Sequence, residues 1–202
     1  MKMKKEVFDQ WSDHYDQTVI REGFPFSGYE RAMGDLIRSQ RITHSTQILE
    51  IGVGTGFLLS SFYSHGAQCY GFDFSEKMLS IARKKMPSAF LFQHDLKTGL
   101  PEPIRRAKFS IILAGYVLHH FDLEEKIKLI KDYLSLLKKE DGRMYLFDVS
   151  FQTKDDLHSY RTQHMDLWDD DEHYFIATEI MNHFDHCDYQ QYSPCGGLYT
   201  IK

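Results

Sequence analysis

Ile48-Leu49-Glu50-Ile51-Gly52-Val53-Gly54-Thr55-Gly56-Phe57-Leu58-Leu59 is the stretch on which the reading of the whole chain turns. A short apolar run, Ile48, Leu49 and Ile51, suits a buried parallel strand. Three glycines at alternate positions break it, and an apolar, helix-like segment resumes from Phe57 to Phe62. Strand, glycine turn and helix together present backbone N–H groups and a helix N-terminus to a polar or anionic ligand. Without Cβ atoms, the glycines admit positive φ and let a ligand lie against the main chain.

The spacing separates competing ligands. A dinucleotide fingerprint needs its third glycine three places after the second, and that position here is Phe57. A phosphate-cradling loop needs Gly-Lys-Ser/Thr, and no such tripeptide follows. Glu50 completes the pattern E-x-G-x-G-x-G, which resembles motif I of the class I S-adenosylmethionine-dependent methyltransferases. A glycine-rich turn in some other α/β domain is the plainer alternative.

Composition sets the frame. A chain of 202 residues, 42% hydrophobic and 26% charged, suffices for one α/β domain with a sizeable core. A formal net charge of −5 gives no general attraction to nucleic acid or to an anionic membrane. No apolar run approaches the roughly 18 residues of a membrane span, and the basic N-terminus leads into Asp9, Ser12, Asp13 and Asp16, not into a signal core. Cys69, Cys187 and Cys195 are a sparse, odd set that fits a reducing compartment. The expectation is a cytoplasmic protein, monomer or homodimer, with no nucleic-acid or membrane partner.

Residues 4–18 carry Val7, Phe8, Trp11 and Tyr15 at helical spacing. That pattern is a helix packing on the domain; by resemblance it is a lid, with Tyr15 near the methionine end of the cofactor. Residues 21–28 read as a loop and Tyr29 to Arg38 as a helix. Gln68 to Asp73 reads as the second strand, ending on an acid seventeen residues beyond Gly56. A βαβ unit brings that acid beside the glycine turn, where a carboxylate can accept hydrogen bonds from a ribose diol. The alternative for Asp73 is an acid opening the next helix. Phe74 and Met78 are placed to pack on a purine. Ser75 to Lys85 reads as a helix and Ala89 to Gln93 as the third strand. Beyond it, Asp95 matches the family's acid for the adenine amino group, with Leu96 contributing backbone; a solvated loop acid is the alternative. His94 reads as a loop residue.

Lys108 to Leu113 reads as the fourth strand, running into Ala114-Gly115-Tyr116-Val117-Leu118-His119-His120-Phe121. A class I fold places reacting groups here, at the carboxyl end of a central strand. The segment resembles the V-L-H-H-F/L stretch of small-molecule methyltransferases and departs from the (D/N)-P-P-(Y/F) motif of enzymes that methylate base amines. His120 or His119 is a candidate general base, although such enzymes also work by orientation alone. Adjacent histidines do not share a helix face, so joint metal ligation is not expected. His183, His186, Cys187 and Cys195 match no zinc spacing either.

Asp122 can cap a helix from Leu123 to Lys138, and Met144 to Val149 reads as the fifth strand. Residues 153–185 turn polar and acidic, with apolar positions that suggest one or two helices. The run Asp169-Asp170-Asp171-Glu172 is a solvated helix start or, with nearby aromatics, a receiver for a cationic acceptor. The tail reads as two strands around a turn.

The whole resembles a Rossmann-like class I methyltransferase: a seven-stranded, mostly parallel sheet with a C-terminal antiparallel hairpin and helices on both faces. One domain is expected over residues 1–202, with a lid at 1–40, a cofactor-binding core at 41–150, an acceptor-covering insertion at 151–185 and the hairpin at 186–202. The resemblance implies S-adenosylmethionine as cofactor, S-adenosylhomocysteine as product and a small-molecule methyl acceptor. It places Tyr15, Glu50, Gly52, Gly54, Gly56, Asp73, Phe74, Met78, Asp95, Leu96, Ala114 and Gly115 around the cofactor. A non-catalytic binder of the same nucleoside and an NAD-dependent oxidoreductase are the alternatives.

Overall fold

The computed structural model describes residues 15–20 and 23–202; Val7, Phe8 and Trp11 lie outside them. Alternation of apolar segments with helices builds a sheet whose central strands are parallel. The strands are β1 (Gln47–Ile51), β2 (Gln68–Asp73), β3 (Phe90–Gln93), β4 (Ile111–Gly115), β5 (Arg143–Phe151), β6 (Phe175–Ile176), β7 (Cys187–Ser193) and β8 (Gly196–Ile201). Their spatial order is β3-β2-β1-β4-β5-β8-β7, with β6 pairing β5 off that path. Strands β3, β2, β1, β4 and β5 run parallel, while β8 pairs antiparallel with both β5 and β7. The seven expected strands thus form the main path, and the two-residue β6 makes an eighth.

The α-helices among the described residues are α1 (Tyr15–Ile20), α2 (Tyr29–Ser39), α3 (Leu59–Ser64), α4 (Glu76–Lys85), α5 (Leu123–Leu134), α6 (Lys154–Gln163) and α7 (Ala177–Met181), with 3₁₀ turns at Leu96–Thr98, Glu102–Ile104 and Leu118–His120. Two buried clusters lie on opposite faces of the sheet, and strand parity decides which side chain joins which. Ile48, Leu113, Tyr145 and Phe147 pack with Leu59, Phe62 and Leu79 on one face. Leu49, Ile51, Ile112, Ala114 and Leu146 pack with Ile127, Ile130 and Tyr133 on the other.

Several boundaries differ from the sequence expectation. Strand β4 starts at Ile111 and not at Lys108, because Phe109 is held apart in an isolated bridge to Leu137. The same bridge ends α5 at Leu134, so Leu137 leaves the helix although it keeps the apolar spacing. Helix α3 begins at Leu59, with Phe57 and Leu58 in the turn. The segment after β5 holds two helices as expected, but none of α6 is fully buried and Met165 and Leu167 are exposed.

Strand parity also buries a charge-bearing group. Glu50 shares a face with Ile48, is 3% exposed, and accepts a hydrogen bond from the Leu59 N–H at 3.0 Å. Burial pushes its carboxyl well above the ordinary range, more than that hydrogen bond lowers it. The folded chain therefore retains a proton that the unfolded chain gives up once the pH passes the ordinary carboxyl range, so Glu50 costs stability as pH rises. Glu50→Gln keeps a carbonyl for Leu59 and removes that cost. Its melting temperature should exceed the wild type's by a margin that is absent below about pH 4 and grows toward about pH 7. A margin independent of pH would show that Glu50 ionises freely in the folded protein.

Candidate functional site

The order β2-β1-β4 reverses direction of winding at β1, and a parallel sheet opens a crevice beyond the strand ends at such a point. A cleft lies there. Its floor is the glycine turn. Gly54 has φ +52 and open space where a Cβ would stand, so the cleft reaches the main chain itself. The Gly54 N–H donates to Asp73 Oδ2 at 2.9 Å, and the Ser75 N–H donates to Asp73 Oδ1 at 2.9 Å. One carboxylate thereby ties the turn after β1 to the start of α4.

Ten of the residues expected at the site line this cleft. Gly52, Gly54 and Asp73 form its polar floor, and Phe74, Met78 and Leu96 form an apolar slot with Asp95 at its rim. Tyr15, Gly115 and His120 close the other end. Asp95 is exposed and caps a one-turn 3₁₀ segment by accepting the Lys97 N–H at 2.9 Å.

Glu50, Gly56, Ala114 and His119 do not line it. Glu50 holds the start of α3. Gly56 has φ +77, and a Cβ there would stand 2.6 Å from Met86 Cε, so it serves packing beneath the turn. Ala114 sits in the core with Ile112 and Leu146.

His94, Phe72, Val117 and Tyr116 line the cleft unanticipated. Tyr116 has φ +53, the one non-glycine positive φ among the described residues. A left-handed tyrosine costs about 1–2 kcal/mol, offset by bonds at both its ends. Its N–H donates to Phe147 O at 2.9 Å and its hydroxyl to Pro25 O at 2.7 Å. Nothing in the sequence marks such a residue.

The two histidines part company. Leu118–His120 is a single 3₁₀ turn. His119 is buried and turns toward β5, where its Nδ1 lies 2.7 Å from Asp148 Oδ1, while Nε2 lies 3.5 Å from Glu172 Oε1. The Leu118 and His119 N–H groups donate to Asp148 Oδ2 at 3.2 and 3.3 Å, and the Val149 N–H to Oδ1 at 2.9 Å. Burial alone would raise the Asp148 carboxyl, but His119, Lys126 and these N–H groups hold it below the ordinary range. Burial likewise disfavours the His119 imidazolium, yet Asp148 and Glu172 outweigh that and raise it. His120, facing the cleft, is pushed down to about 3 by burial and by neighbouring His119, so it stays a neutral imidazole. Asp148 was not foreseen as a site residue, and Glu172 was weighed only within the acid run at 169–172. The signal for Asp148 was a charged residue between apolar neighbours, Leu146, Phe147 and Val149, in a buried strand.

The acids at 169–172 are engaged within the chain. Asp170 pairs with Arg161, whose guanidinium also sits over the Trp168 ring, and Asp169 accepts the Asp171 N–H. Lys126 lies over the Phe175 ring and donates to His173 O.

Residues 48–140 match the family described as a methyltransferase domain. An uncharacterized methyltransferase of Geobacillus sp. (strain WCH70) is 32% identical over 154 residues, 73% of this chain and 68% of the relative. Magnesium protoporphyrin IX methyltransferase (ChlM) from Synechocystis PCC 6803 with bound SAH shares the fold at TM-score 0.70 and 16% identity, covering 98% of this chain and all of that one. The DhpI-SAM-HEP complex does so at TM-score 0.69 and 16% identity, covering 98% and 94%. The chain belongs to the class I S-adenosylmethionine-dependent methyltransferase family.

Proposed function

We propose that the chain transfers a methyl group to a small-molecule acceptor, with S-adenosylmethionine held in the cleft beside the glycine turn. The observation that carries this is the open main chain at Gly54 beside the Asp73 carboxylate. A nucleoside needs such a floor for its ribose and amino-acid end, and the Phe74, Met78 and Leu96 slot suits a purine face. In this reading Asp73 takes the ribose hydroxyls, Asp95 the adenine amino group, and Gly52, Gly54 and Gly115 the amino-acid end with Tyr15 across it. Glu50, Gly56 and Ala114 act by positioning the turn and the strand tip.

The sulfonium supplies an already activated methyl group, so the protein's work is alignment and exclusion of water. His120 and Tyr116 border the cleft where an acceptor would approach, with residues 151–185 as its cover. A neutral His120 whose conjugate acid lies at about 3 is a weak base, so it orients the acceptor more than it removes a proton. His119, enclosed by two carboxylates, positions that turn. Arg161 sits over Trp168 and pairs with Asp170, and Lys126 sits over Phe175, so those groups are already taken by the chain's own cations, which favours a neutral or anionic acceptor over a cationic one.

Calorimetric titration should show micromolar binding of S-adenosylmethionine and S-adenosylhomocysteine. Asp73→Asn should weaken both by about 10- to 150-fold, the loss of one charge-assisted hydrogen bond. Absence of binding to the wild type would sink the reading. With labelled methyl donor and a cell extract, label should enter the low-molecular-mass fraction; incorporation confined to protein or nucleic acid would overturn the small-molecule acceptor.

The glycines divide the labour. Gly54→Ala should cost about 1–2 kcal/mol of stability and abolish cofactor binding. Gly56→Ala should destabilise further, by about 1–3 kcal/mol in urea unfolding, because Met86 must move. Equal effects of both on binding and stability would show that the turn acts as one rigid unit.

A further inference from the structure

We propose that His119, His120 and Glu172 form a binding site for a divalent transition-metal ion, with Asp148 fixing the His119 ring. One ligand atom from each of the three residues lies within 4.8 Å of the others. The expectation against joint ligation holds for an α-helix, where neighbours diverge. In the 3₁₀ turn of Leu118–His120 the two rings lie side by side, centroids 4.1 Å apart, and their nitrogens converge with the Glu172 carboxylate.

The spacing of His119 and Glu172 suits a shared ion better than a direct hydrogen bond. His119 Nε2 and Glu172 Oε1 are 3.5 Å apart, beyond the usual range of about 2.7–3.2 Å for N–H···O. A tetrahedral shell with bonds near 2.1 Å has a ligand–ligand edge of about 3.4 Å. The ring orientation also suits ligation. The Asp148 carboxylate, 2.7 Å from His119 Nδ1, accepts the Nδ1–H and turns the Nε2 edge toward Glu172, and an incoming ion displaces the Nε2 proton of the charged ring.

The acid is placed by the backbone. The His173 N–H donates to His119 O at 2.8 Å, which sets Glu172 directly beside the ring. Lys126 donates to His173 O and fixes the same strand of chain from the far side. Two imidazoles and one carboxylate form a nitrogen-rich set suited to zinc, cobalt or iron, not to magnesium or calcium. Three protein ligands leave a coordination position for a small molecule. His120 borders the cofactor cleft and Glu172 borders a second cavity under α6 and β6, so that position lies at the junction of the two. An acceptor oxygen or sulfur bound there would be held beside the cleft. This role rests on the acceptor placement proposed above; the ion binding does not.

The test uses the full chain freed of metal by chelation, with zinc followed by calorimetry and cobalt by its visible absorption. One ion per chain is expected, with the intense visible bands of a four-coordinate cobalt site. Glu172→Gln and His120→Ala should each weaken binding at least tenfold, and Asp148→Asn by about 10- to 100-fold. Unfolding curves of Glu172→Gln establish that the variant is folded. Zinc binding that is absent, or unchanged in both Glu172→Gln and His120→Ala, would overturn the site. S-adenosylhomocysteine titrated into the same metal-free protein separates the two readings. Cofactor binding without zinc binding rejects only the ion, and zinc binding without cofactor binding rejects only the cleft assignment.

Discussion

Three buried carboxyl groups, in β1, β2 and β5, hold the loops from which the cleft is made. Glu50 in β1 receives the Leu59 N–H, Asp73 in β2 receives those of Gly54 and Ser75, and Asp148 in β5 receives those of Leu118, His119 and Val149. All three are less than a tenth exposed. Loops at strand ends carry N–H groups that the sheet ladder cannot satisfy, and a buried one without a partner is costly. A carboxylate at the strand tip answers several such groups at once and fixes the loop's path. The charge it brings is the cost, visible as the raised Glu50 carboxyl. Where enough donors gather, as at Asp148, the charge is retained instead.

This arrangement explains what the sequence disclosed and what it withheld. Five parallel strands, the closing hairpin and the glycine turn were legible, because apolar runs and glycines report buried strands and positive φ directly. Asp73 was legible because its spacing from Gly56 follows from the length of one βαβ unit. The start of β4 was not, since Phe109 has the same apolar character as Ile111 and only the bridge to Leu137 distinguishes them. Tyr116 was not, because its positive φ is imposed by bonds to Phe147 and Pro25, far away in the chain. Glu172 stood hidden in a run of four acids, and only the main-chain bond from His173 to His119 sets it apart from Asp169 to Asp171.

The same contrast runs through the two histidines. One turn of 3₁₀ helix gives them adjacent rings but opposite electrostatic surroundings. His119 meets two carboxylates, and His120 meets the apolar cleft and a neighbour that disfavours its charge. Residue type therefore says little about the role of either. What differs is which strand tip each ring reaches, and that is set by the register in which β4 lies against β5.

The walls of the cleft are not equally firm. The glycine turn, the β2 tip and the His119 turn are bound by buried carboxylates, interactions that water does not screen. Helix α1 carries Tyr15 over the opening and is fastened through Asp16, which accepts from Thr55 of the glycine turn and pairs with Lys85 at the end of α4. The Asp16–Lys85 pair is partly exposed, at 37% and 29% of its side-chain surfaces, so it contributes on the order of 1 kcal/mol or less. The buried floor must stay fixed for a ligand to find its contacts already made, whereas a wall held at the surface separates at small cost.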